Sequence, residues 1–259
     1  MTIFAVVGDC TTTTCVALAS GWPILDDVVI LEADPSGGSL AGWLDTPASP
    51  SLATIVATSG TDDHGPLIDT VRTMTHHSAA GVRFIALPVR SVPAHRALAE
   101  ADAVVTALAR SDQIVIADGG TLRTIDPVPT ALLEASTVVI VHRQASASAA
   151  AGVVRIERLV EVVEYLGTIG RPIVMAIIGN SPFNPSDVAQ FVDDAFPGVV
   201  TEWVPIADDP LSAAAIAGHA GISAKRMRRL PLMQSAAAAG ARLRLLIPLA
   251  LDLDGQRSP

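Results

Sequence analysis

Lysine is nearly missing from this 259-residue chain: of 17 lysines plus arginines, only Lys225 is a lysine. An arginine-for-lysine, alanine-rich composition reads as the coding bias of a GC-rich genome, which accounts for bare surface positions. It does not account for a lysine missing where chemistry needs one. Cysteine is scarce too. Cys10 and Cys15 are too few and too close together to frame a small disulfide fold, and a reducing compartment is expected. No leader-like pattern opens the sequence, and no apolar run reaches the roughly 18 residues of a spanning helix. A cytoplasmic protein is the expectation.

Charge is unevenly placed. Seven basic residues and two acids follow residue 224, a net +5, so residues 1–224 carry −14 of the total −9. An acidic body argues against coating nucleic acid. The basic tail, 223–259, is broken by Pro231, Gly240 and Pro248 and reads as no clean amphipathic helix. It is expected to fold back on the body or dock an acidic partner, with membrane contact as the alternative.

Half of the residues are hydrophobic, enough for one large core. Short Val/Ile/Leu runs recur at 3–8, 27–34, 82–88, 113–120, 136–143, 171–180 and 200–205. Such continuous runs mark strands buried on both faces. Helical patterns such as 92–110 and 146–167 lie between them. The alternation predicts an α/β fold, a doubly wound, mostly parallel sheet, over 1–222, followed by the basic tail. Residues 47–65, polar and rich in Pro, Gly and Ser around a short apolar helix, read as a surface excursion.

Ligands of such sheets sit at the carboxyl ends of the strands. There the sequence places G-D-C (8–10), E-A-D-P-S-G-G (32–38), D-G-G (118–120) and G-N-S-P (179–182). The first, followed by Thr11, Thr12, Thr13 and Thr14, has the position of a phosphate-binding loop. Such a loop needs glycines for close backbone approach, a lysine for the β and γ oxygens, and a hydroxyl for magnesium. Here Gly8 stands alone, Asp9 adds negative charge, Cys10 replaces a glycine and Thr11 the lysine. Taken alone, the segment reads as a strand–turn–helix start with Thr11 as N-cap. Asp208–Asp209 before Pro210 reads as another helix cap, and His76–His77 as a solvated helix end.

Taken together, five segments in order resemble the ParA/MinD family of deviant Walker ATPases, a P-loop NTPase fold. They are the opening loop, 30-ILEADPSGG-38, 114-IVIADGG-120, 175-MAIIGNSPF-183 and 203-WVPIADDPLSAAAIAG-218. The resemblance implies that Gly8, Thr11, Thr12 and Thr13 form the nucleotide loop, with Thr12 and Asp118 as magnesium ligands. Glu32 and Asp34 match the acids of the second strand, and Asp34 is the residue that would position attacking water. Asn180 matches the residue that reads adenine, and the backbone after Pro205 would flank the base.

The family's two loop lysines are replaced by Val6 and Thr11, and no lysine precedes Lys225. Losing a buried cation against a triphosphate costs several kcal/mol. Arg143, at a strand end, is a candidate substitute. The sequence looks closest to the lysine-poor, TadZ-like branch. That resemblance implies a positional or adaptor module for a secretion, pilus or cell-pole machine. ATP and magnesium would bind weakly and not be required, and hydrolysis would be weak or absent. The alternative is a slow ATPase with an unorthodox loop. The implied partners are proteins, including a second copy. Such a homodimer would form without ATP through apolar contacts, with Leu52–Val56 and Ala213–Ala217 as candidates. Asp9 and Cys10 are expected to close part of the old pocket.

Overall fold

The computed structural model describes residues 2–23, 27–58, 64–121, 133, 136–144, 148–218 and 221–247. Among these residues eight strands form one sheet: β1 (Ile3–Gly8), β2 (Val28–Glu32), β3 (His76–His77), β4 (Arg83–Ile85), β5 (Ile114–Asp118), β6 (Thr137–Arg143), β7 (Ile173–Ile178) and β8 (Val200–Ile206). Their spatial order is β3-β4-β2-β5-β1-β6-β7-β8. Every pairing is parallel except β3 with β4. This is the doubly wound α/β sheet that the Val/Ile runs predict. The chain leaves β1 toward β2 on one side and later returns to β6 on the other, so the switch point lies at the carboxyl end of β1.

Among the described residues the helices with given bounds are α1 (Thr11–Gly21), α2 (Leu40–Trp43), α3 (Leu52–Thr58), α4 (His64–Met74), α5 (Ser91–Ala99), α6 (Asp102–Arg110), α7 (Ala149–Gly167), α8 (Pro185–Ala195), α9 (Pro210–Ile216), α10 (Ala224–Met227) and α11 (Pro231–Leu245). They cover both sheet faces. Phe4, Val6 and Ile30 face α1 and α11, and on the opposite face Val29, Leu31 and Val115 pack against α3 to α6. A third cluster joins Val138, Ile140 and Met175 to α7 and α8.

Four local expectations change. The 92–110 pattern is two helices, separated at Glu100 and Ala101. His76 and His77 form an edge strand, where His76 bonds the Pro50 carbonyl oxygen and stacks on Phe84. The 47–65 stretch is no excursion as far as it is described: Leu52 and Ile55 of α3 are fully buried, and residues 59–63 lie outside the described residues. The tail contains the 15-residue α11, whose Leu232, Met233, Ala236, Ala239 and Leu243 join the main core. Gly240 does not break it. A Cβ there would come within 3.2 Å of the Trp22 ring, so the missing side chain lets α11 lie close to α1. Arg242 of this helix pairs with Glu202 at 3.0 Å.

Candidate functional site

β1 delivers its backbone to the switch point and ends on Gly8 with φ +114. A Cβ at Gly8 would sit 2.3 Å from the Val141 carbonyl oxygen of β6, so only glycine fits. The turn is then knotted to its neighbours. Gly8 N–H donates to Gly120 O (3.0 Å), Asp9 N–H to Val141 O (2.8 Å), and Gly119 N–H to Val6 O (2.9 Å). Cys10 follows in the left-handed region (φ 52) and is the N-cap of α1, without a side-chain capping bond. Thr11 is therefore the first helical residue and not the cap. It is buried, and its hydroxyl lies close enough to Asp118 to favour the ionised carboxylate.

Thr12 Oγ1 donates to Asp118 Oδ2 at 2.7 Å, joining the start of α1 to the end of β5. Burial pushes the Asp118 carboxyl above the ordinary range. The hydroxyls of Thr11 and Thr12 and the Gly120 amide pull it back, and the nearby charge of Asp34 raises it further. Asp34 accepts from the Ser36 amide (2.8 Å) and hydroxyl (2.7 Å), and its carboxyl lies against Gly120. Thr13 lines a cleft beyond Cys10. Thr11, Thr12, Asp34 and Asp118 thus converge on the carboxyl ends of β1, β2 and β5.

Glu32 does something else. It is buried and accepts the amides of Ser39, Leu40 (2.7 Å) and Leu87 (2.8 Å). It ties the β2 loop to the end of β4, and burial raises its pKa against those bonds.

Asp9 turns away from the helix start, so it neither closes the cleft by Cys10 nor stands unpaired. Its Oδ2 takes the Arg155 Nη2 at 2.6 Å and the Arg143 amide at 3.0 Å, with His142 Nδ1 at 3.9 Å. Arg143 reaches the loop as the sequence suggested. Its guanidinium sits beside the Cys10 side chain, but it is held by Asp208 at 3.1 Å. A cleft of about 190 Å³ lies there, walled by Cys10, Thr13, Arg143, Ala207, Asp208 and Pro210. Asp209 caps α9 through the amides of Leu211 and Ser212. Asn180 is exposed beyond the end of β7, and Pro205 is exposed inside β8 opposite Ile177; neither is among the described walls of this cleft.

Two arginines went unnoticed in the sequence. Arg155 and Arg158, three apart on α7, line a second cleft of about 260 Å³ together with Asp9. Their spacing on one helix face was the available signal. In the sequence Asp9 stands only as a negative charge against phosphate.

Among solved structures, the chain is similar to a ParA family ATPase from Chlorobium tepidum TLS, with TM-score 0.68 and 17% identity over 93% of this chain and 97% of that one. It is similar to the Pyrococcus furiosus cell division ATPase MinD, with TM-score 0.66 and 14% identity over 93% and 99%. It is also similar to a chain of the Aquifex aeolicus MinC:MinD cell division protein complex, with TM-score 0.61 and 10% identity over 94% and 96%. The fold is that of the ParA/MinD-like P-loop ATPases. No protein-family model matches the chain, and no curated protein does.

Magnesium is a partial fit. Thr12 and Asp118 are the hydroxyl and carboxylate it would use, but the described residues hold no cluster of three or more His, Cys, Asp or Glu suited to a metal. The triphosphate fits poorly, because Gly8 and Asp9 have committed their amides and the lysine position carries a buried threonine. No described helix is long and apolar enough to cross a membrane.

Proposed function

We propose that this chain is a degenerate ParA/MinD-like module that works by holding a protein partner in place, as an adaptor for a secretion, pilus or cell-pole machine, without ATP turnover. One observation carries the reading. The loop that would cradle phosphate is bonded to its own protein: Gly8 to Gly120, Asp9 to Val141, and the Asp9 carboxylate to Arg155. A phosphate-binding loop works because its amides are free and preorganised toward the anion. Here two of them have carbonyl partners, and no lysine ammonium is present to compensate. The similarity to a chain of a MinC:MinD complex lends support to a protein partner, and the TadZ-like resemblance of the loop lends support to the adaptor role.

Titration of the full chain with Mg-ATP and Mg-ADP, with a phosphate-release assay, tests this beside a Cys10→Gly/Thr11→Lys double variant. The expected outcome is affinity weaker than millimolar and no release for the native chain, with tighter binding in the variant. Micromolar binding and release that Asp34→Ala abolishes would overturn it. The retained Thr12–Asp118 bond favours that second reading, a slow ATPase with an unorthodox loop.

A further inference from the structure

The 260 Å³ cleft lies on the sheet face opposite α1, between the ends of β1 and β6 and helix α7. Ile140, Leu159 and Val162 give it an apolar lining, and Asp9, Thr121, His142, Arg155 and Arg158 a polar one. Arg158 is exposed and has no ion-pair partner among the described residues. Arg155 spends Nη2 on Asp9 and on the Arg143 carbonyl oxygen (3.2 Å), while its Nε is shielded from water and bonds nothing. A shielded N–H without an acceptor costs about 1–3 kcal/mol, and more on a charged group. Native proteins rarely keep such groups without a use for them. Asp9 does not cancel the site, because it is met by Arg155 and the Arg143 amide. Two guanidinium groups therefore share the cleft with one carboxylate and an apolar lining.

We infer that this cleft binds a small phosphate monoester, its phosphate taken by Arg158 and a reoriented Arg155 and its short apolar body seated on Ile140 and Leu159. Arg forks match tetrahedral oxyanions, and each charge-assisted bond is about twice as strong as a neutral one. At about 260 Å³ the cleft lies just below the roughly 300–1,000 Å³ of ordinary small-ligand pockets, which suits a phosphate carrying a few carbons. The anion competes with Asp9 for Arg155. This site is separate from the Thr12–Asp118 pair, across the sheet at the start of α1.

Calorimetric titration of the full chain with phenyl phosphate, and with inorganic phosphate for the head alone, tests the site. The expected result is saturable binding of phenyl phosphate, tighter than of inorganic phosphate. Arg158→Ala, an exposed change that leaves the thermal melt unaltered, weakens it about tenfold. Asp9→Asn tightens it, and Thr12→Ala leaves it unchanged. No binding at millimolar concentrations overturns the inference. Equal affinity in Arg158→Ala also overturns it, as does loss in Thr12→Ala, which would place the anion at the start of α1.

Discussion

Cys10 holds a left-handed conformation that disfavours any side chain by about 1 kcal/mol, and it does so beside a helix start without a side-chain cap. Replacing it by glycine is expected to raise stability by up to about 1 kcal/mol, a few degrees in Tm for a chain of this size. A melting curve of Cys10→Gly that falls below the parent would mean that the thiol's contact with Arg143 matters more than backbone strain. Asp118 gives the pH dependence. Burial raises its native pKa above the ordinary 3.8, so the native state keeps a proton that the unfolded chain releases. Stability is lost as pH rises from 3.8 through the raised native value and stays lower above it. Asp118→Asn removes that loss, so its advantage in Tm is expected to grow between pH 4 and pH 7. An advantage that shrinks over this range would contradict the burial argument. Glu32 is the contrasting acid. It bonds three amides that would otherwise be orphaned, and Glu32→Ala is expected to cost about 3 kcal/mol or more in chemical denaturation.

At the scale of elements, α11 changes the meaning of the tail. Its Leu243 is fully buried against the α1 face, so Leu243→Ala is expected to destabilise by about 2–5 kcal/mol. Ending the chain near residue 222 removes a core helix and not a tether. Truncation is therefore a poor test of membrane attachment, and charge reversal of exposed Arg228 and Arg229 is the better one. A truncated chain that melts like the parent would show that α11 is dispensable. The sheet was legible in the sequence because strands covered on both faces must be apolar throughout. The α11 helix was not legible, because its small residues look like a linker until Trp22 is placed against Gly240.

At the scale of the whole molecule, the segments that the sequence offers for self-association turn their main apolar residues inward. Leu52 and Ile55 are spent on the chain's own core, as are Ala215 and Ile216. Among the described residues the most exposed apolar side chains include Val89 and Val92, by the carboxyl end of β4, with Leu211 on α9 and Leu245 on α11. If a dimer forms without nucleotide, Val92→Asp is expected to dissociate it while Ala213→Asp acts on stability. Light scattering with and without Mg-ATP reads this, and an ATP-driven shift from monomer to dimer would reverse the proposal for the loop.

By itself the sequence determined the sheet, the order of its motifs and the absence of a lysine at the loop. These follow from local composition: continuous apolar runs, polar residues at strand ends, and a threonine where an ammonium is needed. Only the tertiary structure decided what the remaining charges do. Asp9 looked like a repulsive charge in the phosphate position until α7 brought Arg155 to 2.6 Å from it, 146 residues along the chain. Glu32 looked like one of a pair of motif acids at the end of β2 until Leu87, just past β4, supplied an amide to it. The sign of an ionisable group's contribution depends on which donors and charges surround it, and those neighbours arrive from distant strands and helices.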